Sequence, residues 1–127
     1  MYSNAARAYF QTKVKTTTKE DLVVQLYEAA IKFLEQAKER IREKDYIAKG
    51  ERIDRALMII GELNSSLNAE KGGEVAKNLH AFYASCQARL LMASLKLDIE
   101  KIDAVINMLR QVSSAFAEVS RNQKHLQ

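Results

Sequence analysis

Apolar residues return every three or four positions through four long stretches, about 19–43, 46–68, 74–97 and 99–121. That period is helical, because side chains three and four apart share one face of a helix. Each stretch predicts a helix roughly 35 Å long at about 1.5 Å per residue. The breaks have local causes. Thr17 and Thr18 precede Glu20 and Asp21 at the spacing of an N-terminal capping box or its aspartate variant. Asp45 follows Lys44 and can cap the second helix, and Asp98 can cap the fourth. Glu70-Lys71-Gly72-Gly73 separates the second and third, because glycine reaches the backbone conformations that end a helix. Loops this short join antiparallel neighbours, so the pattern predicts an all-α, antiparallel up-down four-helix bundle. We expect one domain over 1–127, with a short N-terminal leader (1–17) packing on the bundle and a basic tail (122–127).

Wheels drawn at about 100° per residue assign the inner faces. The first helix gathers Leu22, Val23, Leu26, Ala30, Phe33, Leu34, Ala37 and Ile41. The second gathers Ile53, Leu57, Ile60, Leu63 and Leu67. The fourth gathers Ile102, Val105, Ile106, Leu109, Val112, Phe116 and Val119. Met58, Val24 and Ile31 fall outside these stripes. Met58 lies among Glu51, Asp54, Arg55 and Glu62, and Val24 and Ile31 share a flank of the first helix.

The third helix departs from the rule. Val75, Leu79, Phe82, Tyr83, Cys86, Leu90, Ala93 and Leu97 form one stripe, while Ala81, Ala84, Ala88, Leu91, Met92 and Leu95 form a second on the opposite side. A bundle helix needs one apolar stripe, since its other face meets water. Two stripes imply cover on both sides. Three covers fit: the chain's own leader with Tyr2, Tyr9, Phe10 and Val14, a second copy in a homodimer, or a foreign peptide. Small residues allow a close backbone approach at the start of this stripe, and Leu and Met supply adaptable apolar area at its end.

Composition narrows the class. The 127 residues include no proline, four glycines and one cysteine, which excludes turn-rich sandwiches and any disulfide framework within the chain. A single cysteine fits a reducing, cytoplasmic location. No apolar run approaches the roughly 20 residues of a membrane span, and no secretory signal is expected. The net charge of +4 is concentrated in the leader, where Arg7, Lys13, Lys15 and Lys19 stand without an acid. From Glu20 to Glu118 there are 14 bases and 16 acids. A nucleic-acid binder carries a basic face on the fold itself, so no nucleic-acid partner is expected.

Catalytic and metal-binding patterns are missing. A di-iron bundle needs inward glutamates with histidine three residues on, and no glutamate in this sequence has one. His80 and His125 are far apart, and His80 lies off the inner stripe, as a solvated surface histidine does. It remains the one candidate for a phosphorelay, but Ala81-Phe82-Tyr83 follow it. Cys86 points inward and serves as a small apolar residue. We expect no enzyme, metal or cofactor.

Several local motifs resemble the flagellar secretion chaperone family. They are Met1-Tyr2-Ser3 and Ala8-Tyr9 in the leader, Leu26-Tyr27-Glu28-Ala29-Ala30, Lys49-Gly50-Glu51, and Ser66-Leu67-Asn68-Ala69-Glu70-Lys71-Gly72-Gly73-Glu74. Ala76, Asn78, Leu79, Tyr83, Arg89, Leu90, Leu91 and Ala93 continue the likeness, which spans the chain. Departures include Thr18-Lys19 where the family often has proline, Ala84 and Ser85 after Tyr83, Leu97-Asp98 before the last helix, and Phe116 in place of a tryptophan.

The resemblance implies a cytosolic protein that wraps the C-terminal helical segment of flagellin. It would prevent premature polymerisation and deliver its client to the cytoplasmic domain of the flagellar type III export gate. It further implies that Tyr2, Tyr9 and Phe10 either cover the groove in the free protein or dock on the gate, with local packing at one bundle end as the alternative. The groove expected from both lines of reasoning comprises Ala81, Ala84, Ala88, Leu91, Met92 and Leu95, with Met58, Val24 and Ile31 as outlying members.

Overall fold

The computed structural model describes residues 18–67 and 69–126. Four helices follow one another: α1 (Lys19–Arg42), α2 (Tyr46–Ser65), α3 (Ala69–Lys96) and α4 (Ile99–Leu126). α1 packs on α2 and α4, and α3 packs on the same two, so α1 and α3 stand at opposite corners. Cross-links fix the antiparallel sense. Lys38 near the end of α1 reaches Asp103 near the start of α4, and Lys124 near the end of α4 reaches Asp21 at the start of α1. Between α2 and α3, Lys49 donates to the Ser94 carbonyl and hydroxyl at 3.1 Å, and His80 Nδ1 lies 2.8 Å from Asn64 Oδ1.

The helices begin where the polar caps are written. The Thr18 hydroxyl accepts from the Asp21 amide at 3.0 Å, and the Asp21 carboxylate accepts from the Thr18 amide at 3.4 Å, completing the capping box. The Asp45 carboxylate accepts from the Ala48 amide at 3.1 Å, and Asp98 from the Lys101 amide at 3.2 Å. α1 and α3 end with Lys44 (φ 60°) and Leu97 (φ 53°) in the left-handed conformation. There the Asp45 amide donates to the Arg40 carbonyl and the Asp98 amide to the Ala93 carbonyl, so the helix-end carbonyls are satisfied without glycine.

Gly72 and Gly73 act separately. Gly73 sits inside α3 with φ 54° and ψ −129°, a conformation that side chains strain to adopt, and regular helix follows it. Gly72 makes room: a Cβ there would stand 2.6 Å from the Ala76 Cβ.

The core is formed by Leu26, Tyr27, Leu34, Ile53, Ile60, Leu63, Tyr83, Cys86, Leu90, Ile102, Val105, Ile106 and Leu109, with buried alanines between them. Tyr27, absent from the expected inner face, is fully buried because its hydroxyl finds a buried partner: it donates to the Tyr83 hydroxyl at 2.8 Å. Phe116 packs against the same ring, with centroids 5.9 Å apart. At this end Thr18, Asp21, Ser120 and Lys124 form a polar clasp between α1 and α4. Ser120 donates to Asp21, and the Thr18 hydroxyl lies 2.6 Å from Ser120 Oγ.

Two residues expected inside are exposed. Val75 is 66% exposed, just past the break at Gly73, where the bundle opens into a cavity of about 420 Å³ lined also by Leu67, Leu79 and Phe116. Val119, toward the same end, is also exposed. α4 continues through Leu126.

Candidate functional site

The outer face of α3 is the principal apolar feature left in solvent. Ala81, Ala84, Ala88, Leu91, Met92 and Leu95 are all exposed, with Leu91 at 56% and Leu95 at 82%. On the inner side of the same helix, Tyr83, Cys86, Leu90 and Ala93 are buried. The helix is therefore apolar on two opposite faces, and the described bundle covers only one. Exposing large aliphatic side chains without cover forgoes about 25 cal/mol for each Å² left in water.

Met58 on α2 is 59% exposed, and Ile47, eleven residues earlier and hence on the same helical face, is 89% exposed. α2 packs on α3, and Met58 and Ile47 form a second exposed apolar patch, on α2. Ile47 went unnoticed in the sequence, although its three-turn spacing from Met58 was a usable signal. Val24 and Ile31 lie elsewhere. They are half-buried on α1, diagonally across from α3, and Ile31 packs against the core. The nine expected groove residues thus lie on three helices: six in one strip on α3, Met58 on α2, and Val24 and Ile31 on α1. Tyr2, Tyr9 and Phe10 lie outside the described residues.

Titratable groups offer little chemistry. His80 is exposed, and its ring faces Asn64. Burial pushes the Cys86 thiol up to about 11, which keeps it protonated and inert at neutral pH. Lys124 and Ser120 hold the Asp21 carboxyl below its ordinary range. Lys38, held by Asp103 and Glu35, is raised and stays charged. Among the described residues, no group of three or more histidine, cysteine or acidic side chains is placed to hold a metal ion, and no helix is long and apolar enough to cross a membrane.

The described residues form an all-α bundle with an exposed apolar face on α3, and none of their cavities gathers reactive groups. Residues 2–123 match the family described as flagellar protein FliS. The chain is 32% identical over 126 residues to the flagellar secretion chaperone FliS of Salmonella typhimurium, covering 94% of this chain and 93% of that protein. It is 33% identical over 124 residues to the FliS chaperone of Campylobacter jejuni, covering 97% of each. Against the Bacillus subtilis FliS chaperone the identity is 29%, covering 96% of this chain and 92% of the relative. The chain belongs to the FliS family of flagellar secretion chaperones.

Proposed function

We propose that this chain is a cytoplasmic export chaperone that binds the C-terminal helical segment of flagellin, keeps it from polymerising, and presents it to the cytoplasmic domain of the flagellar export gate. The observation that carries the reading is the exposed strip of α3, in a chain whose family is one of secretion chaperones. An amphipathic helix laid on such a strip places anchors at i, i+3/i+4 and i+7. A client that orders on binding spends free energy doing so, and a broad apolar surface offsets that cost. Apolar burial then dominates the affinity, which gives a negative heat-capacity change and a weak dependence on salt. No catalytic step belongs to this role.

A polymerisation assay tests the proposal. Seeded flagellin monomers from the host organism should stop elongating when the chain is present at one equivalent, and flagellin truncated at its C-terminus should not bind. Filament growth at the same rate with and without the chain would contradict the proposal. Light scattering across concentration, with and without the flagellin segment, addresses the homodimer reading: a segment that splits a dimer shows one surface serving both roles.

A further inference from the structure

Beside the α3 strip, between α3 and α4, lies a cavity of about 230 Å³ lined by Ala88, Arg89, Met92, Lys101 and Ala104. It shares Ala88 and Met92 with the strip. Its apolar lining comes from two alanines and a methionine, and its polar groups are two cations. This volume falls below the ~300–1,000 Å³ of small-molecule sites, so it suits a single side chain better than a free ligand. Arg89 and Lys101 are both exposed. Arg89 Nε donates to the Ser85 hydroxyl at 3.2 Å, and among the described residues neither cation has an ion-pair partner. Asp103, two residues from Lys101, is engaged by Lys38 across the α1–α4 contact.

Two unpaired cations flanking an apolar hollow specify the chemistry of what enters it. We infer that this cavity is a specificity subsite: it takes one apolar side chain of the flagellin segment, while Arg89 and Lys101 take a carboxylate one helical turn away on the same client helix. The inference rests on the proposed function and says which part of the client is read. Side chains three or four apart on a helix lie side by side, so one turn of client presents an apolar group and an acid together. Arginine and lysine carry only donors, so a carboxylate is the complementary partner.

Calorimetric titration with the C-terminal segment of the host flagellin provides the test. The titrated proteins are the wild-type chain, Arg89→Gln, Lys101→Gln and the double variant, each first checked for native helicity. Each single change should weaken binding about two- to fivefold at low salt, as partly exposed ion pairs do. The differences should shrink at high salt. Replacing one particular client Asp or Glu by Ser should weaken binding to the wild-type chain and add nothing in the double variant. Ala88→Leu, which fills the cavity, should weaken binding at every salt concentration. Unchanged affinity in the cation variants at low salt, or the lack of any coupled client acid, overturns the subsite and leaves the strip standing. If light scattering shows that these substitutions break a dimer and leave client affinity intact, the occupant is a second copy and the inference fails. A wild-type chain that does not bind the segment overturns the subsite and the proposed function together.

Discussion

Leu90 and Leu91 are neighbours in the chain with opposite fates, and truncating each gives a sharp test of the register of α3. Leu90 is fully buried in the core, whereas Leu91 is 56% exposed. Leu90→Ala removes buried carbons and leaves a cavity, at a cost of about 2–5 kcal/mol. For a domain of 127 residues, each kcal/mol corresponds to roughly 3–5 °C in melting temperature, so the expected loss is about 6–25 °C. Leu91→Ala removes carbons that already meet water and should stay within about 0.5 kcal/mol of the parent. Thermal and urea melts followed by circular dichroism read both values. If Leu91→Ala loses as much as Leu90→Ala, the chain covers its own strip and has no face to offer. If Leu90→Ala is neutral, the register assigned to α3 is wrong.

Other outcomes follow from the polar contacts. Tyr27→Phe removes a buried donor to the Tyr83 hydroxyl and should cost about 1–3 kcal/mol in a urea melt. The Asp21 carboxyl titrates lower in the folded chain than in the unfolded one, so its contribution is present above the unfolded value of 3.8 and is lost as pH falls through the folded value. Asp21→Asn should therefore remove that contribution at neutral pH, a modest loss for a clasp that is only partly buried, and flatten the acid limb of the stability curve below about pH 4. Cys86, with its thiol raised to about 11, should resist thiol reagents at pH 8 in the native protein and react at once in denaturant.

The helices were legible because their signals are local. Thr18, Asp45 and Asp98 cap the helices whose starts they marked, and Gly73 breaks α3 where the glycine pair stood. Periodicity also separated the two faces of α3. It failed where burial depends on a distant partner or on position along the bundle. Tyr27 reads as amphipathic, and only the hydroxyl of Tyr83, 56 residues away, makes its burial inexpensive. Ser113 and Ser120 sit inside although serine marks a surface in a simple wheel. Val75 and Val119 keep the inner phase but lie where the bundle opens, so phase alone misplaces them. The separation of Val24 and Ile31 from the α3 strip needed the packing order of the helices, which no single wheel contains. The cavity rimmed by Arg89 and Lys101 likewise joins two helices and has no trace in either alone.

The most direct test is one titration of the host flagellin's C-terminal segment into the wild-type chain and into Leu91→Asp, with melting curves recorded in parallel. Binding to the wild type should carry a negative heat-capacity change, and Leu91→Asp should bind at least a hundredfold more weakly while melting as the parent does. A Leu91→Asp chain that stays folded and binds as tightly as the wild type would show that the outer face of α3 is not where the client sits.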